Sequence, residues 1–275
     1  MRVFVTGATG YIGSAVVREL IGADHTVVGL TRSDNGATVL KEAGAEVHRG
    51  TLDDLDSLRL GAAASDGVIH LAFQHGSSDF AAALATDLRA VQTMGAALEG
   101  TGKPFVTTPH INGEASDNAV LALAGVRASV VSLSLSVHGE GDKHGFMPRL
   151  ITIARAKGVS AYVGDGSNRW PAVHRLDAAR LYRLALESAP AGSRLDGVGD
   201  EGVPFRDIAS VIGHHLNLSV VSISREEANA HFGPFLSTVA ARDMPRSNAR
   251  TQELLGWQPM HPRLLPDLEE HYFNN

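Results

Sequence analysis

The sequence predicts an α/β fold in which a doubly wound parallel sheet is covered by helices. The first observation is the opening stretch, MRVFVTGATGYIG, where a short apolar run leads into three glycines and then into a helical pattern. The second is the alternation of β-branched runs with amphipathic segments up to about residue 135. Strands separated by helices pair in parallel through right-handed crossovers, and ligands bind beyond their carboxyl ends.

The glycines of the opening stretch predict a dinucleotide site. Glycine has no Cβ, so this spacing lets the chain turn sharply and approach a pyrophosphate, while the start of the helix offers N–H groups to the anion. The residues expected at the nucleotide are Gly7, Thr9, Gly10, Tyr11, Ile12 and Gly13. A glycine-rich turn without a ligand is the alternative.

The other elements follow from the spacing of apolar residues. Strands are predicted at residues 26–31, 45–48, 67–71, 104–107, 128–133 and 220–223, and helices at 37–43, 55–64, 79–99, 115–124, 204–216 and 226–232. One apolar stripe of the long fourth helix is predicted to contain Phe80, Leu84, Leu88, Val91, Met94 and Leu98. Gly233, Pro234 and Phe235 are expected to start an irregular stretch, and Trp257 is expected in the core.

Composition excludes several classes of function. The 275 residues carry 24 basic and 30 acidic side chains without long runs of one sign, which argues against nucleic acid or an anionic membrane as the main partner. The absence of cysteine excludes disulfides, thiolate metal sites and a cysteine nucleophile, and no His/carboxylate spacing indicates a metal. The first strand begins at residue 2 and no apolar run has the length of a membrane span, so a cytoplasmic location is expected.

The residues after the second strand predict which nucleotide binds. An acidic residue at that position usually holds the 2′-hydroxyl of NAD, whereas the 2′-phosphate of NADP needs a cation. The chain has Thr31, Arg32 and Ser33 there, and the nearest acid is Asp34. Because Arg32 can bind a phosphate through two N–H groups, NADP is favoured over NAD. A solvated surface arginine is the alternative.

Several motifs together resemble the extended or atypical short-chain dehydrogenase/reductases of the NAD-dependent epimerase/dehydratase group. They are TGATGYIG, Arg32, Leu71-Ala72, SVHGEG at 136–141 and WPAVHRLDAARL at 170–181. The resemblance implies a Rossmann-type NAD(P)-binding domain of residues 1–135 plus about 176–198. It also implies a small C-terminal substrate-binding cap formed by 136–175 and 199–275. Nucleotide contacts are expected from the loop after the fourth strand, at Leu71, Ala72 and Phe73.

The sequence departs from the family at the catalytic pair. The reductases of the family use Tyr-x-x-x-Lys on the helix after the fifth strand, but no tyrosine here has a lysine four residues later. By position, Gly113 and Asp117 or their neighbours replace the pair. The catalytic candidates are therefore the polar residues of the strand-end loops, Thr108, His110 and His138. Candidates for contact with the substrate are Gln74, His75, Lys143, Arg169 and Trp170. His174 and Asp177 are expected to be structural.

Three classes of function remain open. The first is an NADP-dependent oxidoreductase acting on a small carbonyl or conjugated substrate with a nonstandard proton donor. The second is a non-redox isomerase, lyase or cyclase on the same fold, and the third is a nucleotide-sensing protein without catalysis. The helices at 79–99 and 115–124 are rich in small apolar residues where dimers of the family associate, so a homodimer is expected.

Overall fold

The computed structural model describes residues 1–75, 77 and 79–273. In chain order, the strands are β1 (Arg2–Thr6), β2 (Thr26–Thr31), β3 (Glu46–Arg49), β4 (Gly67–His70), β5 (Pro104–Thr107), β6 (Arg127–Leu133), β7 (Ser136–His138), β8 (Val159–Val163), β9 (Arg169–His174), β10 (Ser193–Gly197), β11 (Asp200–Pro204) and β12 (Ser219–Ile223). The helices are α1 (Tyr11–Gly22), α2 (Asp34–Glu42), α3 (Leu55–Ala63), α4 (Phe80–Leu98), α5 (Glu114–Leu121), α6 (Phe146–Lys157), α7 (Arg175–Ser188), α8 (Phe205–Leu216), α9 (Arg225–Phe232), α10 (Pro234–Ala240), α11 (Ala249–Leu255) and α12 (Leu264–His271). Among the described helices, none combines the length and the apolar character that a membrane crossing requires.

The chain divides into two compact units. The first unit consists of Met1–Ser132, Ala178–Leu195 and Arg250–Trp257, and the second contains Leu133–Asp177, Asp196–Ala249 and the residues from Gln258 onward. The sequence had assigned all of residues 199–275 to the cap, whereas Arg250–Trp257 belongs to the first unit. Thr251 and Trp257 are fully buried, so this short segment contributes to a packed interior rather than to a surface loop. The expected burial of Trp257 is confirmed.

The predicted α/β fold with a Rossmann-type parallel sheet is confirmed. The main sheet has the order β10-β6-β5-β4-β1-β2-β3, and every pairing from β6 to β3 is parallel. The strand order changes direction at β1, because β2 lies on one side of it and β4 on the other. The register pairs Thr6 with His70 and His70 with Thr107. The last residues of β1, β4 and β5 therefore form one row at the edge where such sheets bind ligands.

The buried face of α4 differs from the predicted stripe. The helix begins after Asp79, whose side chain accepts a hydrogen bond from the Ala82 N–H. The side chains it buries include Ala83, Thr86, Asp87, Ala90, Val91, Met94 and Leu98. Phe80 was predicted on this face but is 45% exposed. The prediction followed the large apolar residues, whereas the buried face is lined partly by small residues and by a carboxylate.

The second unit has a separate core between two small sheets and several helices. One sheet has the order β11-β9-β7, with β9 antiparallel to β11 and parallel to β7, and the other pairs β12 with β8 in parallel. Trp170 and Phe205 lie in the core of this unit. The irregular stretch expected from Gly233 onward is wrong, because Pro234 begins α10. Proline is well suited to the first helical position, where its missing N–H is not needed.

Candidate active site

The glycine loop between β1 and α1 is closely packed at two positions. Gly7 has a φ of +68°, and a Cβ added there would lie 2.7 Å from the backbone of both Leu71 and Ala72. A Cβ added at Gly13 would lie 2.0 Å from the carbonyl oxygen of Gly7. Both positions therefore require glycine, the first for the turn against β4 and the second for the approach of α1 to the loop.

The start of α1 is suited to an anion. Its N-cap is Gly10, which provides no side-chain hydrogen bond, and its first turn contains no acidic residue. By contrast, the next three helices are capped by the side chains of Ser33, Asp54 and Asp79. An uncapped helix start at the carboxyl end of a strand offers N–H groups and a positive dipole end to a phosphate. These residues fit the pyrophosphate of a dinucleotide.

Two arginines lie near the end of β2. Arg32 follows β2 directly and is exposed. Asp34, the nearest acid, forms an ion pair with Arg49, whose backbone is in register with Thr31 in the neighbouring strand. The acid that could otherwise bind a ribose hydroxyl thus already has a cationic partner. The end of β2 thus carries two arginines and one exposed carboxylate.

The centre of the first unit's polar cluster is Asp87, which is only 2% exposed. Its Oδ1 lies 3.1 Å from His70 Nε2 and 3.6 Å from His110 Nε2. Its Oδ2 accepts a hydrogen bond of 2.6 Å from the Ser116 hydroxyl. Burial alone would raise the pKa of Asp87, but the contacts with His110 and His70 outweigh it and hold that pKa well below its usual range. Asp87 is therefore a charged carboxylate in the interior.

Thr6 determines which nitrogen of His70 carries the proton. The Thr6 hydroxyl accepts hydrogen bonds of 3.2 Å from the N–H groups of both Leu71 and Ala72, and it lies 2.6 Å from His70 Nδ1. With both lone pairs used, the hydroxyl donates its own proton to Nδ1. His70 must then carry its proton on Nε2 and donate it to Asp87. His70 is a neutral donor in this arrangement.

His110 is the group that can balance the buried charge. The hydroxyl of Ser116 and the neutral ring of His70 give Asp87 hydrogen bonds but no positive charge. The side chain of His110 is 11% exposed, and its ring packs on Phe73 with centroids 3.9 Å apart. A buried carboxylate needs a charged partner, and His110 can supply one when it is protonated.

Two further groups border this cluster in the first unit. Asp117 pairs with Arg194 at 3.4 Å, and its pKa is raised because burial outweighs the arginine. The hydroxyl of Thr108 is hydrogen-bonded to that of Tyr182, which is fully buried. Burial raises the pKa of Tyr182 above its usual value, although the bond to Thr108 opposes this. The hydroxyl of Tyr182 therefore lies at the loop after β5, where it is bonded to the candidate Thr108.

The second unit has a histidine cluster of its own, centred on the buried Asp267. His138 Nδ1 lies 2.7 Å from Oδ2 of this carboxylate, and His271 Nδ1 lies 3.0 Å from Oδ1. His174 Nε2 is 3.8 Å from Oδ1. Burial would raise the pKa of Asp267, but His138 and its neighbours lower it. Burial, with the nearby charge of His138, lowers the pKa of His174 to about 4.

His174, Asp177 and His261 also lie close enough together to be considered as metal ligands. The oxygens of Asp177, however, already accept hydrogen bonds from the backbone N–H groups of Met260 and His261 and lie 2.8 Å from His261 Nδ1. Donors aimed at a carboxylate oppose a cation at the same oxygens. The chemistry of this group fits a hydrogen-bonded lock on the turn at residues 260–261 better than a metal centre.

Of the two substrate residues expected in the loop after β4, His75 lies near His110 and Gln74 is bonded elsewhere. The ring of His75 lies 6.2 Å from that of His110 and 5.0 Å from that of Phe73. Gln74 instead donates a hydrogen bond of 3.2 Å to Asp53. The loop therefore places aromatic side chains rather than the amide beside His110.

The expected substrate residues of the second unit have other roles. Trp170 was predicted as an apolar wall for a substrate, but it is fully buried and its Nε1 donates to the carbonyl of Val239. Arg169 was predicted as an anion clamp, but it forms a two-point ion pair with Asp243, at 2.9 and 3.0 Å. The burial of Trp170 contradicts its predicted contact with a substrate, whereas the contact expected at Arg169 stays a prediction, because its side chain is 48% exposed. Lys143 is exposed, and His138 is 1% exposed.

The sequence predictions missed His70, Asp87, Ser116 and Asp267. Two of these left a signal in the sequence. His70 ends an otherwise apolar strand, and Asp87 lies on the apolar side of a helix, where an unpaired carboxylate would be costly. Ser116 and Asp267 lie in short helices of mixed polarity and left none.

Comparison with known proteins places these observations in a family. Residues 3–99 match the model of the NAD dependent epimerase/dehydratase family. An uncharacterised protein of Schizosaccharomyces pombe is 46% identical over 297 aligned positions, covering 99% of this chain and all of that protein. The 2-alkyl-3-oxoalkanoate reductase of Stenotrophomonas maltophilia is 28% identical and covers 76% of this chain and 74% of its own.

Solved structures agree on the fold. The UDP-glucuronic acid 4-epimerase of Bacillus cereus, in complex with its substrate and NAD, superposes with a TM-score of 0.74 at 16% identity. The match covers 99% of this chain and 98% of the epimerase. At this identity the likeness concerns the fold alone. With the glycine loop, the strand order and the full-length relative, it leads to one conclusion: the chain belongs to the NAD-dependent epimerase/dehydratase family, within the extended short-chain dehydrogenase/reductases.

Proposed function

We propose that the protein is a nicotinamide-nucleotide-dependent oxidoreductase that acts on a small carbonyl or conjugated substrate, with His110 as the proton donor. The observation that carries the proposal is the contact between His110 and the buried carboxylate of Asp87. A histidine held by a carboxylate is a competent general acid near neutral pH. It would replace the tyrosine of the missing Tyr-x-x-x-Lys pair.

The nucleotide would be held mainly by the glycine loop and the start of α1. The residues in question are Gly7, Thr9, Gly10, Tyr11, Ile12 and Gly13, with Leu71, Ala72 and Phe73 along the neighbouring loop. When bound, the nicotinamide ring gives or takes a hydride. NADP is the proposed form because Arg32 is exposed at the end of β2 and Asp34 is already paired. Known structural neighbours such as the Bacillus cereus epimerase contain NAD, so this preference rests on the arginine.

The geometry of His110 defines where its proton would be transferred. Its Nε2 faces Asp87, so that nitrogen keeps its proton towards the carboxylate and Nδ1 is left to donate. The Phe73 ring stacked at 3.9 Å restricts rotation of the imidazole. When His110 donates its proton, the negative charge of Asp87 is left without a positive partner. That charge favours protonation of the imidazole, so His110 should take up a new proton readily.

The substrate class follows from the relatives and from the side chains around His110. The Stenotrophomonas relative is named as a reductase of a 2-alkyl-3-oxoalkanoate, in which the alkyl-bearing carbon separates a ketone from a carboxylate. Phe73 and Phe80 are near neighbours in the first unit, with ring centroids 5.7 Å apart, and Phe80 is 45% exposed. An apolar ring pair beside a proton donor suits the alkyl part of a ketone. Alkyl-substituted 3-oxo acids and esters are therefore the first compounds to test.

The central experiment measures oxidation of NADPH and NADH with such compounds, using His110→Gln and His138→Gln as a matched pair. Each substitution removes a histidine that contacts a buried aspartate. We expect His110→Gln to lower kcat about 10²-fold or more while nucleotide binding stays unchanged. Loss of turnover in His138→Gln alone would move the proton donor to the second unit. Nucleotide binding without turnover of any carbonyl compound would favour the non-redox or sensing alternatives.

The nucleotide preference is tested by titrating NADPH and NADH against wild type and Arg32→Ala. We expect Arg32→Ala to weaken NADPH about tenfold or more and to leave NADH unchanged, because only NADPH has the 2′-phosphate. Arg18→Ala is a suitable control, since it removes an exposed arginine from α1. Equal affinities of wild type for both nucleotides would contradict the preference.

A homodimer formed through α4 and α5 also remains a proposal. Ala81, Ala82 and Ala96 are exposed on α4, and Ala115 is exposed on α5, so two copies could approach closely there. Ala83, counted with them in the sequence, is buried and does not contribute. Light scattering at micromolar concentration should give the mass of a dimer, and a monomer mass would contradict it.

A further inference from the structure

His70 and His110 both approach the same oxygen of Asp87. His70 Nε2 lies within hydrogen-bond distance of Oδ1, at 3.1 Å, whereas His110 Nε2 lies beyond it, at 3.6 Å. The second oxygen, Oδ2, is taken by Ser116 at 2.6 Å. His70 thus shares Oδ1 with His110, and the hydrogen bond that it donates makes this oxygen a weaker acceptor for His110.

His70 is fixed in this position. Its Nδ1 accepts the proton of the Thr6 hydroxyl, and that hydroxyl is itself held by the N–H groups of Leu71 and Ala72. The ring is 2% exposed, so water does not replace either bond. The donation from His70 to Asp87 is therefore a constant feature of the folded first unit.

We propose that His70 is a positioning residue that limits the bond between His110 and Asp87 and so keeps the His110 proton transferable. A short charge-assisted bond to a buried carboxylate would stabilise protonated His110 and make its proton harder to release. A neutral donor on the same oxygen weakens that bond without removing the carboxylate's charge. The effect of His70 on turnover rests on the function proposed above. The effect of His70 on the contact between His110 and Asp87 can be tested without any reaction.

Other charged groups also face His110 and belong in the interpretation. They come from every element around it: Asp87 of α4, His70 of β4, His75 of the loop after β4, Asp117 of α5, and Arg194, which pairs with Asp117. Among these groups, His70 is the one that shares an acceptor atom with His110. Removing its donor should therefore act on His110 directly.

The test compares His70→Asn with His70→Gln. Asparagine can still accept the Thr6 proton near the former Nδ1, but it is too short to reach Asp87. Glutamine can place an amide N–H near the former Nε2 and restore the donor. The titration midpoint of His110 is measured by NMR without substrate, and its signal is assigned with His110→Gln. We expect the midpoint to rise by about one pH unit in the asparagine variant and to return close to wild type in the glutamine variant.

Controls separate this effect from general damage. His48→Asn removes another partly buried histidine, which bonds Ser57, and should leave the His110 midpoint unchanged. If His70→Asn does not fold, Ser116→Ala replaces it, because it frees Oδ2 and should move the midpoint upward as well. An unchanged or lowered midpoint in the folded variant would overturn the proposal.

Activity measurements then separate this inference from the proposed function. If His110 is the proton donor, the alkaline limb of the kcat profile should move upward by the same amount in His70→Asn. A raised midpoint in a protein that turns over no carbonyl compound would support the competition at Asp87 and refute the oxidoreductase function. A raised midpoint with an unmoved kcat profile would overturn the role of His70 in turnover.

Discussion

Both units contain a buried aspartate surrounded by histidines, but the two carboxylates are connected differently. Asp87 lies beside the ends of β4 and β5, and one of its histidines, His110, is partly exposed at a loop. Asp267 lies on α12, and its carboxylate is hydrogen-bonded to His138 of β7, which is 1% exposed. The first carboxylate therefore has its partly exposed partner on a loop at the carboxyl ends of the parallel strands, whereas the partly exposed partner of the second, His271, lies four residues later on the same helix. A His–Asp pair indicates chemistry when its accessible partner lies at the edge where such sheets bind ligands.

The largest expected effect is the loss of turnover in Asp87→Asn. The amide removes the charge that His110 balances, so a proton donor held by it should fail and kcat should fall at least about 10²-fold. The measurement is kcat on the best carbonyl substrate, with nucleotide affinity as the check that the glycine loop is intact. A variant that retains full turnover would show that Asp87 is structural like Asp267.

The next effect is a loss of stability in Asp267→Asn. Removing the charged carboxylate weakens the buried hydrogen bonds of His138 and His271, and leaving buried polar groups poorly bonded lowers the free energy of unfolding by about 1–3 kcal/mol. Denaturant unfolding measures this loss, and turnover of the folded fraction should stay near that of wild type. If turnover disappears while stability is unchanged, the contrast between the two carboxylates is reversed.

The pH dependence of stability should also distinguish the clusters. The pKa of His174 is about 4 in the folded protein, against about 6.5 when unfolded. Below pH 6.5 the unfolded state therefore binds the extra proton, and stability should fall as pH is lowered towards 4, by up to about 1.4 kcal/mol per unit. His174→Asn should reduce this slope, and the remainder should come from His75 and His231, whose pKa values burial also lowers. Asp87 and Asp267 have lowered pKa values, so their stabilisation is present above about pH 4 and is lost below it. A wild-type slope that persists in His174→Asn would refute the assignment.

The smallest expected effect concerns Arg169. Its guanidinium forms an exposed ion pair with Asp243. Arg169→Ala should change kcat/KM by less than about twofold. A loss of tenfold or more on an anionic substrate would restore Arg169 as an anion clamp and weaken the view that the second unit's polar groups are mainly structural.

The sequence was most informative where neighbouring residues determine the structure. β1, the glycine loop and α1 could be predicted together, because the apolar period and the lack of Cβ at Gly7 and Gly13 act locally. The parallel pairing followed from the alternation of strands and helices, whereas the strand order was not predicted. The polar clusters could not be predicted in this way. Asp267 and His138 are 129 residues apart, and no period in the sequence links them.

Errors within elements had a similar cause. Trp170 was assigned to a substrate, but it is buried and its N–H is bonded to the carbonyl of Val239, 69 residues later. Phe80 was assigned to the buried face of α4 because it is large and apolar. The buried face instead includes Asp87, whose burial is possible because His70 and Ser116 supply its hydrogen bonds.

The position of the tryptophans provides a spectroscopic tool. The chain contains two, and the structure buries Trp257 in the first unit and Trp170 in the second. Each unit therefore carries its own fluorophore, shielded from water when that unit is folded. In Trp170→Phe the emission reports on the first unit, and in Trp257→Phe it reports on the second. Coincident transitions of the two variants would mean that the units unfold together, and separated ones would give each unit its own midpoint.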